Sequence, residues 1–371
     1  MSTLNNIVNQ ATAEISLSAL SHNLLQVKKL APHSKVLAVC KANGYGHGLV
    51  EAATHLHQAD AFGVARIQEA YRLRSGGIVK PIVLLEGFFE AEDLPHLVAS
   101  NIETVVHCEE QLSALEQAQL SAPIQVWLKI DTGMGRVGIA PEQSEQYLKR
   151  LKQCSNVKNN IILMTHFACA DDTQSDMTLT QLNCFEQLKN HLIGQDKHST
   201  DASLANSAGI LNYPQAHQDW VRPGILLYGA SPQLDAKHAE QNFKPAMRLK
   251  SRLIAVKTIK ANSFVGYGAT WQATENTTIG IVAIGYGDGY PRHAKNGTPV
   301  YINGRIVPMV GRVSMDMITV DLGEASQDKN GDEVILWGPE NPVETVAAMA
   351  DTIPYELLCG LTSRVDLSYK D

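Results

Sequence analysis

The stretch Val36-Leu37-Ala38-Val39-Cys40-Lys41-Ala42-Asn43-Gly44-Tyr45-Gly46-His47-Gly48 decides the fold. Five apolar residues without alternation read as a strand buried on both faces, the pattern of a parallel sheet. A lysine stands at the strand's tip, a glycine-rich loop follows, and Leu49–Leu56 then takes up helical spacing. The same texture recurs down the chain. Apolar runs fall at Ala61–Ala65, Ile82–Leu85, Thr104–His107, Ile124–Ile130, Ile161–Thr165, Ala202–Ala205 and Ile225–Tyr228, with helical spacing at Gln111–Leu120, Gln143–Leu151 and Met177–Leu192. Eight strand–helix repeats predict a (β/α)8 barrel, which typically takes about 250 residues. A doubly wound open sheet is the alternative, because periodicity does not show closure.

Past Phe243 the pattern changes. Pro245 opens a segment rich in β-branched residues and glycine, with strands expected at Leu253–Ile259, Thr278–Ile284, Pro299–Ile302, Arg305–Val310, Met317–Val320 and Glu333–Leu336. Asn303-Gly304 and Asn330-Gly331 mark turns, and Asn-Gly is a strong hairpin signal. The expectation is therefore a barrel over residues 1–243 and a mainly antiparallel β domain over residues 244–371. The strand-like Ala13–Leu17, with Asn23 and Leu24, precedes the first barrel strand and fits either unit.

The chain has 371 residues, enough for two or three units at roughly 150 residues each. Its 31 Lys+Arg against 38 Asp+Glu give a net charge of −7, without the basic surplus that phosphate backbones demand, so nucleic acid is not an expected partner. Hydrophobic residues make up 44% and charged residues 19%, an ordinary globular balance. No run reaches the about 18 apolar residues of a membrane span. Met1–Gln10 lacks a basic start and an apolar segment, so no export signal is read and a cytoplasmic protein is expected. The six cysteines, Cys40, Cys108, Cys154, Cys169, Cys184 and Cys359, are scattered. They are read as reduced packing residues, and no metal site is expected.

In a barrel, functional groups gather where strands end. Lys41 emerges there against a hydrophobic wall, where burial disfavours its ammonium and frees an amine able to form a Schiff base. A solvated loop lysine is the plain alternative. The fifth strand runs into Lys129-Ile130-Asp131-Thr132-Gly133-Met134-Gly135-Arg136. Arg136 offers a fork suited to a carboxylate, or else a structural ion pair with Asp131. His166, in Thr165-His166-Phe167, either orients a base or bonds within the core. Asn206-Ser207-Ala208-Gly209 and Val221-Arg222-Pro223-Gly224-Ile225 bracket the last strands, where such barrels build phosphate sites. Plain turns are the rival reading. In the second domain, Tyr267 lies between Gly266 and Gly268. It is either a turn residue or a phenol that exchanges protons beside a cation.

As a set these residues resemble the alanine racemases, fold-type III enzymes that use pyridoxal 5′-phosphate. K-A-N-G-Y-G-H-G at 41–48 is similar to the family's cofactor-attachment signature. K-I-D-T-G-M-G-R at 129–136, T-H-F at 165–167, N-S at 206–207, R-P-G-I-L-L-Y-G at 222–229, V-G-Y-G at 265–268 and G-R-V-S-M-D at 311–316 follow in the family's order. The resemblance implies a head-to-tail homodimer, each site taking its barrel from one subunit and Tyr267 from the other. It implies that Lys41 carries the cofactor, and that Tyr45, Ser207, Tyr355 and the backbone at Gly224 and Ile225 hold its phosphate. Arg222 would face the pyridine nitrogen, and His166 would link Arg222 to Tyr267. Arg136 and the Met315 backbone would hold the substrate carboxylate. Lys129 matches a lysine that is carbamylated in some relatives. Tyr286, Arg292, Arg312 and Ile353 would line the entrance.

The activity so implied is interconversion of L- and D-alanine by two bases, Lys41 serving the D-alanine proton and Tyr267 the L-alanine proton. It would supply D-alanine for peptidoglycan or serve alanine catabolism. A broad-specificity racemase, a fold-type III decarboxylase and a non-catalytic pyridoxal-phosphate barrel protein are the alternatives. The second domain and Tyr267 argue against the last.

Overall fold

The computed structural model describes residues 11–194, 200–233 and 242–371; Met1–Gln10, read above for an export signal, lies outside them. The first described strand belongs to the second unit. Strand β1 (Thr12–Ser16) pairs with later strands, and the helix Leu17–Leu30, N-capped by Ser16, then turns its Leu20, Leu24 and Val27 inward. Eight parallel strands follow: β2 (Lys35–Val39), β3 (Ala61–Val64), β4 (Ile82–Leu84), β5 (Ile102–Val106), β6 (Val126–Lys129), β7 (Ile162–Met164), β8 (Ala202–Ser203) and β9 (Trp220–Val221). They close into a barrel when Lys35 and Val36 pair with Trp220 and Val221. The open-sheet alternative is thereby excluded.

The last barrel strand is not the one expected. Ile225–Tyr228 is a 3-10 helix, and Trp220–Val221 closes the sheet instead. Four apolar residues buried on every side carry no period that separates strand from helix, and Pro223-Gly224 cannot sustain a ladder. The correction moves Arg222 to a strand tip, facing the barrel mouth.

The second sheet holds β1 together with β10 (Met247–Ile259), β13 (Thr277–Val282), β14 (Pro299–Ile302), β15 (Arg305–Pro308), β16 (Ile318–Gly323), β17 (Glu333–Trp337) and β18 (Asp366–Lys370). A separate pair is β11 (Phe264–Val265) with β12 (Trp271–Gln272). Its order is β15-β14-β17-β10-β1-β18, with β13 joining β10 and β16, and every pairing except β1 with β18 is antiparallel. Strand β10 starts six residues earlier than the apolar run at Leu253 suggested, and irregularities at Leu249/Lys250 and Leu253/Ala255 let it serve two sets of partners. Asn303 and Gly304, both at positive φ, make the two-residue turn between β14 and β15. Asn330-Gly331 does not: the strands around it, β16 and β17, do not pair.

The units are stitched by Asn23, which is fully buried. Its amide donates to the carbonyls of Leu227 (3.1 Å) and Lys244 (2.8 Å) and accepts the Lys244 N–H (2.8 Å). A Cβ at Gly229 would strike the Lys244 carbonyl, so the connection tolerates only glycine there. All six cysteines are free, yet only Cys40 is buried, and Cys359 is exposed rather than packed. Among the described residues, no helix is long and apolar enough to cross a membrane.

Candidate active site

Lys41 leaves the barrel at the tip of β2 and enters a loop pressed against the second domain. A Cβ at Gly46 would collide with the Leu358 carbonyl, and one at Gly48 with the Tyr369 hydroxyl. The glycines of this loop therefore let it pass close beneath the helix Pro354–Cys359 and strand β18. His47, fully buried, donates through Nδ1 to the Tyr45 carbonyl (2.8 Å) and the Gly44 carbonyl (3.2 Å). Burial lowers its pKa to about 4, so the imidazole is neutral.

Around Lys41 the strand tips assemble bases. Lys129 ends β6, His166 follows β7 and Arg222 follows β9; Arg136 stands on the loop after Lys129. Burial lowers the Lys41 pKa, and among its charged neighbours Glu86 opposes that shift while Arg136 adds to it. Lys129 is pushed down to about 8 by burial and then by Arg222, Arg136 and Lys41. His166 lies well below its ordinary value through burial first, then through Arg222, Lys129, Arg136 and Lys41. Two amines that are poor at holding protons thus sit beside an imidazole that is neutral.

Arg222, 3% exposed, is lowered to about 9 by burial and remains a cation at neutral pH. It donates to Ser203 Oγ (2.7 Å), to the carbonyls of Thr165 (2.7 Å) and Leu204 (3.1 Å), and to His166 Nδ1 (3.1 Å). Since an arginine can only donate, His166 Nδ1 is the acceptor and its proton resides on Nε2. The imidazole is therefore preset as a donor on its far side.

Opposite this basic group lies a cradle of hydroxyls. Tyr45 stacks on Tyr228 at 4.8 Å and sits 6.0 Å from the Tyr355 ring. Ser207 Oγ accepts the Gly224 N–H at 2.9 Å, and a Cβ on Gly224 would lie 2.5 Å from the Tyr45 hydroxyl. Burial raises the pKa of both Tyr45 and Tyr355, which keeps both phenols protonated as donors. Tyr355 reaches this place from the second domain. The Asn206 side chain caps the short helix after β8 by accepting the Gly209 N–H (2.9 Å).

The plain reading of Asp131 as an ion-pair partner of Arg136 does not hold. Asp131 Oδ1 accepts the N–H groups of Gly133 (2.9 Å), Met134 (2.8 Å) and Gly135 (3.1 Å). It shapes the loop and leaves the Arg136 guanidinium exposed. Gln181, which sequence reasoning missed, bonds Thr132 Oγ1, the His166 carbonyl and the Ala168 N–H. Its only sequence signal is a polar residue on the buried side of a helix.

The remaining residues lie on the second domain. Tyr267 follows Gly266 in a one-turn 3-10 segment, with its ring 70% exposed. Arg312 packs behind Gly268 and shares a surface hollow with Arg292. Met315 and Tyr286 lie together through the bonds of Tyr286 N–H to Ser314 and Gly287 N–H to Met315, and Ile353 caps the helix that carries Tyr355. Tyr286, Met315 and Ile353 are all exposed. Among the described residues, no hydrogen bond or ring contact joins Tyr267 to Lys41 or His166 within the chain.

Two family models match, described as "Alanine racemase, N-terminal domain" over residues 15–232 and "Alanine racemase, C-terminal domain" over residues 246–369. The chain is 56% identical over 359 residues to an alanine racemase of Vibrio cholerae, covering 97% of this chain and 98% of that one. With an alanine racemase of Edwardsiella ictaluri it is 57% identical over 361 residues, again covering 97% and 98%. The solved biosynthetic alanine racemase of Pseudomonas aeruginosa superposes with a TM-score of 0.93 at 42% identity, covering 98% of this chain and all (100%) of that one. The solved alanine racemase of Acinetobacter baumannii gives a TM-score of 0.92 at 39% identity with the same coverage.

Proposed function

Because the chain belongs to the alanine racemase family of pyridoxal 5′-phosphate-dependent isomerases, we propose that it interconverts L- and D-alanine with Lys41 and Tyr267 of the partner subunit as its two bases. The observation that carries this reading is the convergence of Lys41, Lys129, His166 and Arg222 at one barrel mouth. The residues present fit the cofactor. The Gly224 cradle admits no side chain, and protonated phenols and a serine hydroxyl surround it, as a phosphate ester requires. When bound, pyridoxal phosphate acidifies the α-C–H of an attached amino acid by spreading negative charge into its imine and ring.

Lys41, Tyr45, Ser207, Tyr355 and the backbone at Gly224 and Ile225 hold the cofactor. Inversion requires a proton to leave one face of the α-carbon and another to arrive on the opposite face. The Lys41 amine, biased toward neutrality by burial, exchanges the proton of D-alanine. Tyr267 exchanges that of L-alanine, its phenolate stabilised by the Nε2–H that Arg222 imposes on His166. Arg222, which can only donate and stays a cation at neutral pH, would face the pyridine nitrogen of the bound cofactor without protonating it, and would so favour return of the proton to the α-carbon. Arg136 and the Met315 backbone hold the carboxylate, while Tyr286, Arg292, Arg312 and Ile353 border the entrance.

Labour divides by domain: the barrel within residues 1–243 supplies most of the cofactor-holding groups, Tyr355 joins them from the second domain, and residues 244–371 supply the second base across a head-to-tail homodimer. The exposed Tyr267, Tyr286, Met315 and Ile353 support that arrangement, since such apolar groups gather where another surface docks. Lys129, with its pKa near 8, is suited to carbamylation, which needs a neutral amine. In 13C-bicarbonate a carbamate signal that vanishes in Lys129→Arg is expected, and its absence from the wild-type chain refutes the modification. The reaction is reversible, so one cytoplasmic site serves D-alanine supply to peptidoglycan or alanine catabolism according to the isomer the cell consumes.

Incubation with L-alanine in deuterium oxide tests the reaction. D-alanine carrying deuterium at Cα is expected, whereas carbon dioxide release or no turnover rejects it.

A further inference from the structure

Immediately after Lys41 the backbone takes a path that L residues avoid. Ala42, Asn43, Gly44 and Tyr45 have φ of 54°, 55°, 63° and 51°, so they wind as a left-handed turn. Each non-glycine residue there costs roughly 1–2 kcal/mol. Asn43 has compensation of its own, because its Oδ1 accepts the Leu49 N–H (3.3 Å) and an Arg72 N–H (3.1 Å). The far end is held by His47 on the Tyr45 carbonyl. Ala42, at φ 54° and ψ 52°, has no side-chain group with which to bond.

Its compensation comes from the neighbouring βα unit. Glu69, in the first turn of the helix Ile67–Ser75, accepts the Ala42 N–H at 2.8 Å through Oε1. Through Oε2 it accepts the N–H groups of Ala65 (3.0 Å) and Arg66 (3.2 Å), just past the end of β3. One carboxylate therefore bridges the tips of adjacent strands, with an acceptor turned to each.

We propose that Glu69 is a positioning residue for Lys41: by gripping the Ala42 N–H it imposes the left-handed turn that sets the direction in which the Lys41 side chain leaves the barrel. The proposal rests on the reading of Lys41 as the cofactor-bearing lysine. Glutamine does not substitute, because an amide has one acceptor oxygen and would aim its NH2 group either at Ala42 or at the Ala65 and Arg66 pair. Glycine at position 42 removes the need for the grip, since it adopts positive φ without steric cost.

Charge is the competing route. Lys41 is influenced by Glu86, Arg136, Cys359 and Glu69, and it acts in turn on Lys129 and His166. Losing the Glu69 charge would therefore disturb the amine without any change in the turn. Relaxing the backbone at position 42 repairs a lost grip but not a lost charge.

The test compares wild type, Glu69→Gln, and Glu69→Gln combined with Ala42→Gly as holoenzymes. The readouts are kcat and KM, and the extent of borohydride-trapped pyridoxyl label on Lys41 by peptide mapping. A small misplacement of a reacting group costs up to about a hundredfold in rate. The expected result is a roughly ten- to hundredfold fall in kcat and a weaker Lys41 label in Glu69→Gln, with both restored severalfold by Ala42→Gly. Wild-type kcat in Glu69→Gln, or a loss that glycine leaves unrepaired, overturns the proposal. Should Glu69→Gln fail to fold, Ala42→Val strains the same turn with the Glu69 charge intact. A comparable fall is then expected, and wild-type kcat overturns the proposal. A wild-type label found away from Lys41 rejects the cofactor assignment itself, which distinguishes that failure from the failure of Glu69.

Discussion

At the barrel mouth, Arg222 is 3% exposed and donates to four acceptors within its own chain. On the second domain, Tyr267 is 70% exposed in a turn of glycines, and Tyr286, Met315 and Ile353 are also open to solvent. The first region is finished by the chain that makes it: desolvation, packing and hydrogen bonds already set its protonation states. The second presents a phenol that makes no hydrogen bond or ring contact with Lys41 or His166 among the described residues of its own chain. In the proposed dimer that division makes each site dependent on association, with the cofactor machinery rigid and the second base delivered to it.

The largest effects should come from removing one member of each half. Lys41→Ala is expected to lower kcat/KM by about 10⁴-fold or more, and Tyr267→Phe by about 10²- to 10⁴-fold. Thermal unfolding of Tyr267→Phe should be nearly unchanged, since phenylalanine keeps the ring and loses only a hydroxyl at a residue 70% exposed in its own chain. Mixing the two inactive variants should restore about a quarter of wild-type activity when subunits exchange at random, because heterodimers hold one intact site of two. Proven exchange without recovery would break the comparison between a finished half and a delivered half.

Arg222→Glu inverts the charge at the centre of the finished half. The ratio of pyruvate formed to alanine racemised should rise, as a group able to support a protonated pyridine nitrogen replaces one that is not. An unchanged ratio removes Arg222 from control of reaction outcome.

His47 gives a smaller effect that reads on stability. Its pKa is about 4 in the folded chain against an ordinary 6.5, so on acidification the unfolded chain takes the proton first. Its contribution is complete above pH 6.5 and is lost as the pH falls from 6.5 to 4, by about 3 kcal/mol in all. Asparagine retains a donor near the Nδ1 position and does not titrate. Urea unfolding at pH 7 and pH 5 should therefore show a shallower loss for His47→Asn than for wild type, and parallel losses would contradict it. The smallest effect belongs to Gly304→Ala, at positive φ in open space, which should cost about 1 kcal/mol and leave kcat untouched. A fall in kcat there would blur the contrast with the turn at Ala42, where the same backbone region bears on the lysine.

Most barrel strands were legible because both faces are buried, so their apolar runs are continuous. The eighth was not, since Trp220–Val221 is two residues long and the more apolar Ile225–Tyr228 beside it is a helix of the interface. Strand β10 was read short although Met247, Leu249, Ser251 and Leu253 alternate with exposed or half-exposed neighbours. The polar Ser251 on the buried face interrupts the apolar half of the period that Arg248, Lys250 and Arg252 mark on the open face. In the site, Lys41 and His166 stand out in the sequence as strand-tip groups, whereas Arg222 precedes the apolar run expected as the last strand and becomes a tip residue only because Trp220–Val221 closes the barrel. Glu69 and Gln181 do not stand out, because the contact that matters in each joins groups far apart in the chain, Glu69 to the Ala42 N–H and Gln181 to Thr132 and His166.

From the sequence alone came the chemical inventory: a lysine on a glycine-rich loop, an arginine fork at Arg136, a histidine after an apolar run at His166, and a change from barrel to antiparallel texture near Phe243. Those are properties of neighbouring residues, and local sterics and periodicity are enough to express them. Only tertiary structure decided that β9 closes on β2, that Arg222 faces the mouth, that Tyr355 crosses from the second domain to Tyr45, and that one carboxylate on the helix Ile67–Ser75 holds the turn after Lys41. These depend on which groups meet after burial, and burial is a property of the whole packed chain rather than of any stretch within it.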